Sequence, residues 1–346
     1  MSEIRKHYFL PEYCIIAEER AKRPSDFAGA AETSEKKHSE NCVFCGGNEE
    51  KTPPATAVYR DEVIFADTEE KRIRNWDFRC FPNLYPALSP TSPPASSPTS
   101  SPASSPTSSP LEFHQKGFEV FPGFGYHEVI VESPIHGKRL EDFSDDEISG
   151  LMKVYRDRVC HYAAQEKIRY VSLFKNSGKA AGASQNHPHS QLIALPVCPQ
   201  VLERELKAIR EGKKCPYCTL LEKEKASTRL IHENSRFVAF APYYSTGPFE
   251  VWILPKEHLS FLGDFSPELL FALGEILRTV LKSYAKVLGS LPYNHMFYQL
   301  FETPEYHLNL RLMPRLSVAA GFELNTGIYI NTVSPEKAAS YLKGEK

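Results

Sequence analysis

Two stretches of the chain carry the same order of apolar and polar positions. From His127 to Val159 the sequence reads HEVIVESPIHGKRLEDFSDDEISGLMKVYRDRV, and from Phe249 to Val280 it reads FEVWILPKEHLSFLGDFSPELLFALGEILRTV. Each opens with a β-branched run, then a proline, a histidine and Asp-Phe-Ser ahead of a segment of helical period. In the first copy Ser144 and Glu147 have capping-box spacing, and Ile148, Leu151, Met152, Tyr155, Val159 and Tyr162 recur at helical intervals. In the second, Ser266 stands at the N-cap and Pro267 at the first helical position, followed by Leu269, Leu270, Leu273, Leu277 and Leu281. A single apolar stripe per helix predicts that each helix covers a sheet. Upstream of each strand lies a Cys-x-x-Cys pair, and downstream each copy reaches another histidine before an apolar strand. The pattern predicts an α+β fold, mainly antiparallel sheet with covering helices, in two halves: residues 1–198 and 199–346.

Composition narrows this picture only where it departs from the ordinary. A chain of 346 residues with 41% hydrophobic content can bury a large core. Its formal net charge is −2, without a long run of one sign, so any phosphate site is local and no nucleic-acid partner is expected. The N-terminus lacks the apolar h-region of a signal peptide, and no stretch approaches the roughly 20 apolar residues of a membrane span. A cytoplasmic protein without a membrane partner is the expectation. From Ser89 to Pro110 (89–110) every residue is Ser, Pro, Thr or Ala, with no apolar face, which reads as a disordered or polyproline-like surface loop.

The chain has eight cysteines and no secretory signal, which favours thiols or metal ligands over disulfides. One Cys-x-x-Cys alone is as compatible with a redox pair as with a metal. Two of them, each followed in register by two histidines, match the donor set of closed tetrahedral zinc sites. The first set is Cys42, Cys45, His136 and His187; the second is Cys215, Cys218, His258 and His307, with His295 competing for the last place. Two zinc ions per chain are expected. Cys14, Cys80, Cys160 and Cys198 have no such framing and read as small buried hydrophobes.

The stretch GKAAGASQNHPHSQ sets His189 two residues beyond His187, on the same side of an extended segment. A neutral imidazole is a nucleophile near pH 7 without an activating base. The small residues ahead of it offer backbone N–H groups to an anion. The plain alternative for His189 is a hydrogen-bonded loop histidine.

Taken together, AEERAKRPSDF, CVFC, FPNLYPAL, ESPIH, NSGKAAGASQNHPHSQ, PFEVWILPKEH and AGFE resemble the galactose-1-phosphate uridylyltransferase family. This is a branch of the histidine-triad superfamily built from two histidine-triad-like half-domains. The resemblance implies a ping-pong nucleotidyl transfer through a covalent nucleotidyl-histidine on His189, with Gln191 hydrogen-bonding the transferring phosphoryl group. It places Asn176, Gly182 and Ser184 along the phosphates, Arg20 and Arg23 on loop contacts to the nucleotide or sugar phosphate, and Asn83 in the base-and-ribose segment. Gly321, Phe322 and Glu323 match the hexose-binding segment. Nucleotide sugar and hexose 1-phosphate are the implied substrates, zinc the implied metal and a homodimer the implied assembly. Histidine-triad hydrolases end the motif with a third histidine, whereas the amide of Gln191 favours transfer to a second phosphate.

Two departures bear on specificity. Bacterial transferases hold a second metal on a glutamate and three histidines; here Glu205 and His295 stand at two of those positions, Asn309 and Arg311 at the others. The second Cys/His set, with GFELNTGIYINTVSPE, is similar to the plant-type ADP-glucose phosphorylase branch. The leading expectation is a UDP-glucose–hexose-1-phosphate (galactose-1-phosphate) uridylyltransferase. An ADP-glucose phosphorylase using inorganic phosphate is the alternative, and a zinc-stabilised nucleotide-binding protein without catalysis is the alternative of another class.

Overall fold

The computed structural model describes residues 2–20, 40–90, 113–115, 118–120 and 122–345. Arg23 and residues 91–110 of the Ser/Pro stretch lie outside the described residues. In chain order the strands are β1 (Glu3–Lys6), β2 (Tyr13–Ile16), β3 (Ala57–Arg60), β4 (Val63–Phe65), β5 (Phe78–Pro82), β6 (Phe113–Gln115), β7 (Phe118–Val120), β8 (Tyr126–Val131), β9 (Tyr170–Ser177), β10 (His189–Leu195), β11 (Leu230–Glu233), β12 (Phe237–Phe240), β13 (Val251–Pro255), β14 (Tyr293–Tyr298), β15 (Asn309–Pro314) and β16 (Tyr329–Asn331). The helices are α1 (Asp145–Ala163), α2 (Gln200–Glu211), α3 (Pro216–Lys225), α4 (Pro267–Leu288), α5 (Gly321–Thr326) and α6 (Pro335–Lys343).

Eleven strands form one sheet in the order β11-β12-β13-β15-β14-β9-β10-β8-β5-β3-β4. Each neighbouring pair is antiparallel. The repeated segments meet at β9 and β14, paired from Tyr293↔Ser177 to Met296↔Phe174. Outward from that seam, β10, β8, β5 and β3 mirror β15, β13, β12 and β11. A smaller sheet joins β1, β2 and β16, with β2 and β16 parallel.

Helices α1 and α4 form as the pattern predicts. Ser144 Oγ accepts from Glu147 N–H, and the Glu147 carboxylate accepts from Ser144 N–H at 2.8 Å, closing the capping box. Ser266 Oγ accepts from Leu269 N–H at 3.3 Å, with Pro267 at the start of α4. Both apolar stripes are buried in one core against the sheet. The helices touch where Gly274 faces Ile148: a Cβ there would stand 3.0 Å from Ile148 Cγ1, so glycine permits this approach.

The strand pleat sorts side chains between two faces. Ile130, Val251 and Ile253 lie in the core under α1 and α4. On the opposite face, Val129 and Val131 pack with Trp76 and Phe81, and Trp252 and Leu254 pack with Tyr217 and Tyr306. Phe44 and Cys215, from the two Cys-x-x-Cys segments, cover that second face. Among the described residues no helix is long and apolar enough to cross a membrane.

Candidate active site

His187 and His189 straddle the entrance to β10, and their hydrogen bonds assign them different free nitrogens. His187 Nε2 lies 2.7 Å from the carbonyl oxygen of Ser133, and His189 Nδ1 lies 2.8 Å from the carbonyl oxygen of His187. A carbonyl only accepts, so each of these nitrogens carries its ring's proton. His187 therefore presents the Nδ1 lone pair and His189 the Nε2 lone pair. Phe44 packs edge-on against the His189 ring at 5.3 Å between centroids. Burial, with the Lys175 ammonium adding to it against the His187 carbonyl bond, holds the His189 imidazole below its usual pKa. The ring is thus neutral and nucleophilic near pH 7.

Beneath β10, on the helix-covered face, a buried polar network fixes this entrance. Lys175 Nζ donates to Glu132 Oε2 at 2.5 Å and to the His189 carbonyl at 3.2 Å. Glu132 Oε1 accepts from Ser190 Oγ at 2.5 Å and from Tyr155 OH at 2.8 Å. Burial alone would raise the Glu132 pKa, yet Lys175 and the Ser190 hydroxyl hold it below the ordinary value. Sequence reasoning missed Glu132 and Lys175. Their signal is a charge at an inward position of an otherwise apolar strand.

On the other face, Gln191 Oε1 lies 2.8 Å from His127 Nε2. Asn83 sits beside the same ring, with Nδ2 3.2 Å from His127 Nε2 and its own N–H donating to the His127 carbonyl. Asn176 Oδ1 accepts from Asn294 Nδ2 at 2.7 Å, and Asn294 also reaches the Ala181 carbonyl at 2.9 Å. One residue from the second half thereby ties Asn176 to the loop before His187. Gly182 adopts φ +88, where a Cβ would be strained and would meet Asn176 Nδ2 at 3.7 Å. Ser184 is exposed on the same loop. A cavity of about 520 Å³ opens beside His189, lined among others by Lys138, Arg139, Asn176, Gln185 and Asn186 and, from the helix-covered side, by Lys175, Leu281 and Tyr284; Gln191, Asn83, Gly182 and Ser184 do not line it.

Other predicted site residues lie elsewhere. Gly321, Phe322 and Glu323 belong to α5 and do not line the cavity beside His189. Phe322 there is 45% exposed, Leu324 76% and the preceding Val318 91%. Arg20 is exposed at the end of a short 3-10 turn, with no side-chain hydrogen bond among the described residues.

The structure brings together both Cys/His sets, with all ligand atoms of each within 4.8 Å of one another. Zinc with bonds of 2.0–2.3 Å requires tetrahedral edges of about 3.6 Å between donors. Cys42 Sγ lies 3.5 Å from His187 Nδ1, and Cys45 Sγ lies 3.5 Å from His136 Nδ1 and 3.6 Å from His187 Nδ1. In the second set the distances are 3.3 Å for Cys218–His258, 3.4 Å for Cys218–His307 and 4.0 Å for Cys215–His307. His258 Nε2 donates to the Pro304 carbonyl at 2.8 Å, and His307 Nε2 to the Pro255 carbonyl at 3.1 Å, so each aims an Nδ1 lone pair inward. Without a cation, burial and the neighbouring Cys215 push the Cys218 thiol up to about 12, a cost that bound zinc reverses. Both donor sets fit zinc. The first is largely buried, whereas in the second His258 is exposed and the cysteines half-buried.

His295 does not join the second set. It is fully buried on the helix-covered face beside Tyr155 and Phe297, and neither ring nitrogen has a partner among the described residues. Glu205 lies on the opposite face with Arg311, whose Nη2 donates to Glu205 Oε1 at 2.8 Å. The sheet lies between these two residues, and a guanidinium neutralises the carboxylate.

Comparison with known proteins places this geometry. The family described as galactose-1-phosphate uridyl transferase, N-terminal domain, matches residues 1–199, and a domain of unknown function (DUF4921) matches residues 143–343. The chain is similar to ADP-glucose phosphorylase of Arabidopsis thaliana, at 33% identity over 99% of this chain and 92% of that protein. It is also similar to galactose-1-phosphate uridylyltransferase of Thermotoga maritima, at 31% identity over 78% of this chain and 84% of the relative. The crystal structure of the Arabidopsis thaliana phosphorylase with bound ADP-glucose superposes with a TM-score of 0.76 and 32% identity, covering all of both chains.

Proposed function

The chain belongs to the family of galactose-1-phosphate uridylyltransferases and ADP-glucose phosphorylases and is an enzyme of that nucleotidyltransferase class; from this premise we propose that it is a nucleoside-diphosphate-sugar phosphorylase of the ADP-glucose type. The observation that carries the choice is the extent of similarity: it runs through 99% of the chain toward the Arabidopsis phosphorylase and 78% toward the Thermotoga uridylyltransferase. This reverses the order of the sequence-based expectation, which put uridylyl transfer first on motifs that both activities share.

In this proposal His189 Nε2 attacks the α-phosphorus of ADP-glucose. A P–N bond forms, the bond from the α-phosphorus to the bridging oxygen breaks, and glucose 1-phosphate leaves with that oxygen. An oxygen of inorganic phosphate then attacks the same phosphorus, the P–N bond breaks, and ADP departs while His189 regains its lone pair. The His187 carbonyl holds the His189 proton on Nδ1 throughout, and this bond strengthens as the ring gains positive character. Gln191 and Asn176 supply amide donors to the phosphoryl oxygens, with Gly182 and Ser184 along the same anion. Arg20 and Arg23 serve the nucleotide or the sugar phosphate, and Asn83 the base and ribose. Zinc, bound by Cys42, Cys45, His136 and His187, supplies folding energy and anchors the loop that carries His189; Cys215, Cys218, His258 and His307 bind a second ion in the other half. The halves divide at residues 198 and 199. The exposed apolar side chains on and before α5 support a homodimer, in which Gly321, Phe322 and Glu323 serve the hexose of a neighbouring copy's site.

The test is incorporation of label from ADP-glucose or UDP-glucose, each carried at the α-phosphate, as acid-labile label on the chain. ADP-glucose is expected to label wild type, and inorganic phosphate to release the label as ADP. His189→Gly is expected to bind ADP-glucose and retain its metal without taking label. Labelling by UDP-glucose alone, with release only by galactose 1-phosphate, would establish the uridylyltransferase instead. Absence of label with either donor would remove the covalent mechanism.

A further inference from the structure

His127, near the start of β8, lies across the sheet from the residue assigned to the transferring phosphoryl group. Gln191 pairs with Val129, and His127 pairs with Ile193, so His127 and Gln191 are diagonal neighbours on one face. His127 Nδ1 accepts from the Ala87 backbone N–H at 3.1 Å. A peptide N–H only donates, so Nδ1 holds a lone pair, and the proton of the neutral ring resides on Nε2. That proton is donated to Gln191 Oε1 across 2.8 Å.

This chain of donors settles the Gln191 amide, whose two ends are otherwise interchangeable in shape. Its oxygen faces His127 and its NH₂ is left for another partner; none is found for it among the described residues. The segment that supplies the Ala87 N–H is itself anchored. Asn83 N–H donates to the His127 carbonyl at 2.8 Å, and Tyr85 N–H donates to Asn83 Oδ1 at 2.9 Å. The Asn83 NH₂ lies 3.2 Å from His127 Nε2 and, with that nitrogen donating to Gln191, makes no hydrogen bond to it.

We infer that His127 is a positioning residue for nucleotidyl transfer: it locks the Gln191 amide with its NH₂ toward the transferring phosphoryl group and ties that orientation to the segment from Asn83 to Ala87. The inference rests on the proposed roles of His189 and Gln191. A flipped amide turns an oxygen lone pair toward anionic phosphoryl oxygens, replacing a stabilising donor by a repulsive acceptor at the point where charge develops. With His127 gone, the amide samples both orientations.

The experiment is a double-mutant cycle on the full chain, read as single-turnover transfer of α-phosphate label from ADP-glucose onto the protein. Loss of an oxyanion-type donor costs about 100–1,000-fold in rate, so Gln191→Ala sets that scale, and His127→Ala should slow transfer about 10–100-fold with a nearly unchanged dissociation constant for ADP-glucose. The double variant should be no slower than Gln191→Ala. His127→Gln, which restores an NH₂ donor to the Gln191 oxygen, should recover part of the loss. Melting curves of all variants verify folding, since His127 is half-buried. Losses that multiply in the double variant, a wild-type rate in His127→Ala, or a defect confined to ADP-glucose affinity would overturn the role of His127 while leaving that of His189 standing. Unlabelled wild type would overturn both.

Discussion

Glu205→Gln is expected to destabilise the chain by about 3–5 kcal/mol, the usual range for leaving one member of a buried ion pair without its partner. Glu205 is 1% exposed and accepts three hydrogen bonds: from Tyr217 OH and Tyr306 OH, both at 2.7 Å, and from Arg311 Nη2 at 2.8 Å. The Arg311 guanidinium lies 3.8 Å from the Tyr298 ring centre and 4.2 Å from that of Trp252, stacked between them. At an effective dielectric of 20, opposite charges 2.8 Å apart attract by about 6 kcal/mol. Glutamine keeps the shape and part of the hydrogen bonding but none of that attraction. The two rings still face the cation, and the Arg311 side chain is 12% exposed, which brings the expected loss below the full figure. A chain of this length loses roughly 1.4 °C per kcal/mol, so the melting temperature should fall by about 4–7 °C. Glu205→Leu combined with Arg311→Met should recover much of it, because no buried charge is then left unpaired. The carboxylate also has a pH signature. Burial alone would raise its pKa, but Arg311 and the two tyrosine hydroxyls hold it below the ordinary 4.5. Its stabilisation is therefore present above about pH 4.5 and is lost as pH falls through the depressed folded-state value, so wild type and Glu205→Gln should converge in acid. A variant melting within about 1 °C of wild type at pH 7, or a gap that widens in acid, would refute the pairing.

Elemental analysis of the purified chain should find about two zinc ions, and a chelator should remove one first, from the set in which His258 is exposed; simultaneous loss would contradict the difference in burial. Cys42→Ser should lower the melting temperature through loss of zinc, whereas Cys160→Ser, at a half-buried position outside both sets, should change it little. His187→Gly should lose metal as well as most transfer activity, and added imidazole should restore transfer to His189→Gly more readily than to His187→Gly. Sedimentation should find a dimer, and a monomer would remove the proposed use of α5 by a second copy.

The features legible in the sequence are those written locally. The caps of α1 and α4 and their apolar stripes lie within a few turns of chain, and the Cys-x-x-Cys spacing presents two donors from one short segment. Their repetition in order marked the histidines that complete each set, and the structure brings those residues together. What the sequence left open depends on strand pairing between distant segments. Whether His295 or His307 faces Cys215 follows from which sheet face is occupied by His295 on β14 and by His307 just ahead of β15, a parity set by the β9–β14 and β14–β15 registers. The His127–Gln191 contact likewise requires the β8–β10 register, and Asn294 reaches Asn176 only because β9 and β14 form the seam. The proposed order of the two candidate activities reverses that of the sequence-based expectation for a different reason: the motif around His189 belongs to the resemblance that both activities share and says little of the acceptor.

The same internal symmetry accounts for a chain with two Cys/His sets and a single candidate nucleophile. In the first half His187 is followed two residues later by His189 at the start of β10, then by Gln191. In the second half His307 is followed by Asn309 at the start of β15, then by Arg311. Asn309 Nδ2 donates to the His307 carbonyl at 3.2 Å, reproducing the bond from His189 Nδ1 to the His187 carbonyl. Its other end, Oδ1, accepts from Arg311 Nε at 2.7 Å, so the side chain has no basic nitrogen with which to attack phosphorus. The place of the Gln191 amide is taken by a guanidinium already neutralised by Glu205 and enclosed by Trp252 and Tyr298, which leaves little unfilled space and no net charge to attract a phosphate. The second half thus shares the backbone frame and a Cys/His set with the first, while the place equivalent to the candidate reactive site is packed shut. On the roles proposed above, a metal lost from the first set would release the loop that carries His189, whereas one lost from the second would weaken the sheet from β11 to β15 and reach His189 only through the seam between β14 and β9.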